Sequence, residues 1–272
     1  MDAHGTDKVF AGSIPELYDT LLVPLIFEPY AVEVAERAAR CKPKRVLEVA
    51  AGTGAVTRAL ARTLPETTEI VATDLNPPML DRAAAVGTVR PVTWQQADAQ
   101  QLPFPDGSCD LVICQFGVMF FPDRPKAFAE ARRVLTPGGT LLFSVWGRIE
   151  DNDFANAVTN ALMKRFPENP PMFLARTPHG HYDAAPIQRD ARLGGFTTEV
   201  ACDVVTARSR ADTARVVATA YCQGTPLRSQ LEAFGPDALT DATEVCTRAL
   251  SAQFGTGPVD GKIQALMFSV TA

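Results

Sequence analysis

Three carboxylates stand where apolar runs end in the first hundred residues. Glu48 lies in Val46-Leu47-Glu48-Val49-Ala50, Asp74 follows Ile70-Val71-Ala72-Thr73, and Asp98 closes the stretch begun by Val92-Thr93-Trp94. The first run leads into the small-residue turn Ala50-Ala51-Gly52-Thr53-Gly54. Such a turn lets a ligand approach the backbone, and the helix behind it offers free N–H groups to an anionic group such as a carboxylate. At a strand end, Asp74 can accept hydrogen bonds from both hydroxyls of a ribose, or cap the helix entered at Pro77-Pro78. Asp98 can accept from an adenine amino group, with Ala99 leaving room for the ring, or shape a turn. Three acidic groups converging on one edge suit a nucleoside carrying a cationic group rather than a polyphosphate. The turn also fails the dinucleotide pattern G-x-G-x-x-G: with Gly52 at its centre, the flanking positions are Ala50 and Ala55.

Positioning those groups requires parallel strands. The pattern predicts strands at Val46–Ala50, Ile70–Thr73, Val92–Trp94, Cys109–Phe116 and Thr140–Trp146, alternating with helices over Val56–Leu64, Pro78–Ala85 and Pro125–Leu135. Near-continuous apolar strands separated by helices imply a sheet covered on both faces. This is a doubly wound, Rossmann-like α/β core, with ligands bound beyond the carboxyl ends of the strands. Pro137-Gly138-Gly139 reads as a stop after the helix. Residues 1–40 read as an amphipathic helical segment. Beyond Trp146 the pattern predicts helices over Phe154–Arg165, Ala185–Leu193, 211–222, 226–234 and 241–253, the last capped by Thr240, and strands Phe196–Val205 and Ile263–Val270. The expected organisation is one domain, 1–272. It has an N-terminal helical lid (1–43), a ligand-binding core (44–147), cap insertions (148–193 and 207–260) and the last two strands (194–206 and 261–272).

Composition narrows the function classes. The chain has 272 residues, 26 Lys plus Arg and 31 Asp plus Glu, for a net charge of −5. That balance argues against a general nucleic-acid binder, which must neutralise phosphates. No run approaches the roughly 20 apolar residues of a membrane span, and no signal peptide is visible. The six cysteines form no Cys-x-x-Cys pair, so metal and dithiol chemistry are not expected, and a reducing, cytoplasmic setting is.

The sequence resembles the class I S-adenosylmethionine-dependent methyltransferases, and within them the type 11 group that includes the ubiquinone/menaquinone C-methyltransferases. Four blocks carry the resemblance: Val46–Gly54, Val71–Leu80, Ala97–Phe104 and Phe128–Gly139. It implies a seven-stranded, mainly parallel sheet whose last strand is inserted antiparallel between the fifth and sixth. It also implies S-adenosylmethionine as cofactor and S-adenosylhomocysteine as product. Glu48, Ala50, Ala51, Gly52, Thr53 and Gly54 would cradle the methionine part. Asp74 would hold the ribose, Leu75 and Met79 the adenine face, and Asp98 and Ala99 its edge. Gln115 and Phe116 would face the sulfonium. Ala50 departs from the glycine of many relatives.

The expected reaction is in-line transfer of a methyl group to a small, apolar or aromatic acceptor, with no metal and with a homodimer left open. Two other readings are a non-catalytic S-adenosylmethionine-binding protein and an NAD-dependent oxidoreductase. Tyr18 is read either as a cofactor or substrate contact or as a half-buried helix tyrosine. His179 and His181, in Pro178-His179-Gly180-His181-Tyr182, are candidates for a base near neutral pH, for two of a metal's ligands, or for surface-loop residues. Phe154, Met163, Phe166, Met172, Phe173 and Tyr221 either line an apolar pocket or pack the cap.

Overall fold

The computed structural model describes Phe10 and residues 12–272. Residues 1–9 and 11, the start of the expected lid, lie outside the described residues. Seven strands form one sheet: β1 (Arg45–Val49), β2 (Glu69–Asp74), β3 (Thr93–Gln96), β4 (Cys109–Gln115), β5 (Leu135–Trp146), β6 (Ala201–Ala211) and β7 (Val259–Thr271). Their order is β3-β2-β1-β4-β5-β7-β6. Strands β1 to β5 pair in parallel, and β7 runs antiparallel between β5 and β6. The order in which successive strands are added reverses between the parallel β1 and β4, the switch point where loops diverge and leave a crevice.

Helices α1 (Glu28–Cys41) and α2 (Ala55–Thr63) cover one face, where Val34, Ala38, Val56 and Leu60 pack on Val46, Ile70 and Ile113. On the other face lie α4 (Arg124–Val134) and the segments after β5; α3 (Pro77–Val86) joins β2 to β3 on the α2 side. The later helices are α5 (Asp153–Arg165), α6 (Ala184–Leu193), α7 (Ala214–Gln223), α8 (Leu227–Glu232) and α9 (Ala238–Phe254). The cap of α9 is Asp237 rather than Thr240.

Three departures from the sequence pattern have physical causes. Tyr18–Phe27 forms a π-helix containing Pro24. Proline has no N–H to give and its ring crowds the carbonyl four residues back, so a wider turn relieves the conflict. Strand β5 begins at Leu135, and Pro137-Gly138-Gly139 is absorbed within it rather than ending the helix. A register shift between Cys109 and Leu111 takes up the extra length, with Gly138 at φ 80°. Phe196 is buried ahead of β6, which reaches instead to Ala211 as an edge strand. Asp260 of β7 holds Arg208 and Arg210 of β6 at 2.7 and 3.1 Å, placing charge where an edge would otherwise invite pairing.

The junction of β1 with α2 depends on Gly54, at φ 85°. A Cβ there would sit 2.8 Å from the Trp94 ring and 3.3 Å from Ala83. Gly54→Ala should therefore lower stability by about 2 kcal/mol or more, from left-handed strain plus overpacking. Urea unfolding reads it directly, and a loss under about 0.5 kcal/mol would contradict this packing.

Candidate active site

Beyond β1 the chain turns through left-handed backbone at Ala50 (φ 54°), Gly52 (φ 56°) and Gly54. Alanine is strained there, yet its methyl has room because residue 117 has none. A Cβ on Gly117 would lie 2.6 Å from the Ala50 methyl and 2.7 Å from Cys114 Sγ. The turn is pinned at its apex: the Gly52 N–H donates to Asp74 Oδ2 at 2.8 Å. Asp74 Oδ1 accepts from the Asn76 backbone N–H at 2.8 Å. Oδ1 also accepts from Asn76 Nδ2 at 3.3 Å, so Oδ2 is the oxygen that keeps a lone pair for a further donor. Burial raises the Asp74 pKa, against the lowering pull of those N–H bonds.

A cavity of about 980 Å³, counting its open mouth, lies over these strand ends. Tyr18, Ala50, Gly52, Asp74, Leu75, Met79, Asp98, Ala99, Gln115 and Phe116 all reach its wall. Leu75 and the buried Met79 present apolar surface beside Asp74, and Asp98 is exposed, its Oδ1 accepting from the Gln100 N–H at 2.9 Å. Gln115 Oε1 is buried with no hydrogen-bond partner among the described residues. A Cβ on Gly52 would project to within 3.5 Å of Met79 and 3.9 Å of Tyr18, so the glycine leaves a cradle open. A carboxylate with a free lone pair, an apolar slot and an orphaned amide oxygen thus give this wall hydrogen-bond acceptors beside an apolar surface.

The opening helix closes one side. Asp19 bonds Arg58 of α2 at 2.9 Å and Arg82 of α3 at 3.0 Å, and Arg58 also donates to the Thr53 carbonyl at 2.6 Å. One buried carboxylate thus ties the helix to both flanks of the turn. Tyr18, next to it, is half-buried and stacks on Phe27 at 4.9 Å. Its pKa is pushed up by burial and then by Asp74, so it stays a neutral hydroxyl.

A second cavity, of about 580 Å³ with its open mouth counted, adjoins the first and shares Phe10, Tyr18, Phe116 and Phe120 with it. Phe116 stacks on Trp146 at 3.8 Å, with Phe27 tilted against both. Of the six cap residues weighed as pocket or packing, Phe173 and Tyr221 line this cavity. Phe154 packs on Phe254 and Phe166 on Phe234, while Met163 is exposed. The two histidines part company. His179 is buried in the cavity wall; His181 lies in neither cavity and meets Arg124 at 3.1 Å, beside the Arg124–Asp190 ion pair. No cluster among the described residues could hold a metal ion, and no helix among them is long and apolar enough to cross a membrane.

Residues 47–143 match the family model described as a methyltransferase domain. This segment belongs to that family. It is 43% identical over 110 residues to the demethylmenaquinone methyltransferase of Deinococcus radiodurans, covering 40% of this chain and 45% of that protein. It is 39% identical over 105 residues to the ubiquinone/menaquinone biosynthesis C-methyltransferase of Psychromonas ingrahamii, covering 37% and 42%. The chain thus matches less than half the length of these curated relatives. Among solved structures, the YcgJ protein of Bacillus subtilis shares the fold at 19% identity and a TM-score of 0.57, over 89% of this chain and 98% of that one. The cyclase SpnF shares it at 17% identity and 0.51, over 90% and 81%. The fold is therefore shared over nearly the whole molecule, and the methyltransferase-domain match covers its strand-turn core.

Within that core Glu48, Ala51, Thr53 and Gly54 do not reach the cavity wall. Glu48 lies beneath the turn, 2% exposed, and accepts from Thr57 Oγ1 at 2.6 Å. The acidic edge expected from three carboxylates is thus made by two. Wall residues that motif reasoning passed over are Asn76, Gln100, Gly117, Phe120 and Phe121; the Phe120-Phe121 pair just past the fourth strand was the available signal.

Burial pushes the Glu48 carboxyl up to about 8, against the opposing pull of Thr57 and Arg58. The folded state then holds a proton that the unfolded chain releases near the ordinary carboxylate pKa. Stability should fall as pH rises from about 4.5 to about 8 and level off above that. Glu48→Gln should remove this slope and gain on the order of a few kcal/mol over the parent at pH 8, with little difference at pH 4. Equal pH slopes for the two proteins would contradict it.

Proposed function

We propose that this protein binds S-adenosylmethionine in the first cavity and transfers its methyl group to a small aromatic or apolar acceptor in the second. The observation that carries this is the meeting of the two cavities at one seam. Phe116 and Tyr18 belong to both, so groups bound on either side touch there. When bound, the cofactor supplies a methyl carbon on a sulfonium, already an activated electrophile.

What remains for the protein is positioning and exclusion of water. Asp74 would hold the ribose hydroxyls, Leu75 and Met79 the adenine face, Asp98 its amino edge, and Gln115 an N–H of the tail. Ala50 and Gly52 leave the backbone approachable. Tyr18 and Phe116 would line the transfer path. Residues 1–43 would act as lid, 44–147 as cofactor core, and 148–193 with 207–260 as cap. The relatives' names point to ubiquinone and menaquinone biosynthesis. Phe173, His179, Tyr221 and Thr225 of the second cavity, however, lie outside the matched residues 47–143. The acceptor is therefore read from this cavity's own chemistry. Six free cysteines fit work in the reducing cytoplasm.

Asp74→Ala tests the cofactor assignment by titration with S-adenosylhomocysteine. Losing charge-assisted bonds to two hydroxyls should cost about 3 kcal/mol, roughly a hundredfold in affinity. A loss under about threefold, in a protein whose unfolding midpoint is retained, would reject it.

A further inference from the structure

We propose that His179 Nε2 is the hydrogen-bond acceptor that selects a hydroxylated aromatic ring in the second cavity, an inference that rests on reading that cavity as the acceptor's. His179 stands in a short turn, His179–His181, with its ring 5.8 Å from Trp146. Its Nδ1 lies 3.0 Å from the Gly147 carbonyl. A carbonyl only accepts, so Nδ1 carries the hydrogen. Burial lowers the His179 pKa to about 4, outweighing the Gly147 carbonyl and Glu150, which act the other way. The ring is neutral near pH 7, and Nε2 holds a lone pair. Among the described residues Nε2 has no hydrogen-bond partner, and it is not among the sealed polar atoms; it opens on the cavity that His179 lines.

The other polar side chains of that wall are committed or neutral. Asn152 Nδ2 donates to the Arg148 carbonyl at 2.8 Å, and its Oδ1 accepts from the Gln264 N–H at 3.1 Å. Thr225 Oγ1 donates to the Tyr221 carbonyl at 2.7 Å and accepts from the Leu227 N–H at 3.2 Å. Tyr18 and Tyr221 are both held protonated by burial. Nε2 accepts and cannot donate, so it demands a donor from the ligand. No carboxylate among the described residues lines this cavity, which disfavours an ammonium and leaves a neutral hydroxyl as the matching group. Aromatic walls supply flat contact for the rest of the ring. A ligand without the hydroxyl would leave Nε2 desolvated and unpaired, and that penalty is what discriminates.

The test uses a shape-matched pair, 2-naphthol and 2-methylnaphthalene, titrated into the protein alone. The parent should prefer 2-naphthol by roughly tenfold. His179→Asn keeps an N–H for the Gly147 carbonyl while its one acceptor, Oδ1, sits on a shorter side chain away from the Nε2 position, and should bring the pair within about twofold while leaving 2-methylnaphthalene binding near the parent's. His179→Leu should do the same where it folds. Equal affinities in the parent, failure of both compounds to bind it, or a preference that survives in His179→Asn would each overturn the proposal; the parent comparison needs no variant. S-adenosylhomocysteine titrated into the same preparations reports separately on the cofactor. A naphthol preference with no such binding would remove the methyl-transfer reading and leave this one standing.

Discussion

One hydrogen bond, from the Gly52 amide to the Asp74 carboxylate, joins the ends of the first two parallel strands. Everything above the sheet depends on it. It holds the turn in a left-handed path that only small residues tolerate, and it fixes the carboxylate at the cavity wall with a lone pair to spare on Oδ2. The cost is backbone strain at Ala50, which persists because neighbouring packing over-determines it. Gly117 contributes by being empty where the Ala50 methyl points. The same small-residue contact brings the loop after β4 close to the loop after β1, and so narrows the switch-point crevice into a cavity.

The aromatic seam is the second organising feature. Phe116, itself at φ 54°, is clamped against Trp146 and Tyr30. It divides a polar compartment, where Asp74 and Asp98 stand, from an apolar one beneath the cap. Asp19 fastens the opening helix over that boundary through Arg58 and Arg82. The division of chemistry follows from the division of space: a nucleoside needs hydrogen-bonding strand ends, and an aromatic ring needs walls.

The core was legible because its strands are buried on both faces and read as short apolar runs, each ending in small or acidic residues. Asp74, Asp98 and the glycine turn follow from that pattern alone, and the antiparallel seventh strand from the family resemblance. Glu48 was misplaced because strand periodicity does not say which face of a parallel strand meets the ligand: its side chain points down, to Thr57. The π-helix was hidden because the run Leu21–Phe27 is apolar all round and offers no periodicity to read. His179 and His181 could not be separated from sequence, since two residues apart in a turn they face different neighbours, a cavity and an ion pair. Whether Phe154 or Phe173 lines a pocket is decided by tertiary packing, which spacing along the chain does not encode.

On the proposed reading the strand-end cavity takes an adenosyl sulfur compound and not a dinucleotide. Thermal unfolding with S-adenosylmethionine, S-adenosylhomocysteine and NAD, each at high concentration, tests it most directly. A ligand at a hundred times its dissociation constant adds about 2.7 kcal/mol, a rise of roughly 5–10 °C for a chain of this size. A shift with the two sulfur compounds and none with NAD is the predicted result; a shift with NAD alone, or with none of the three, would contradict the account.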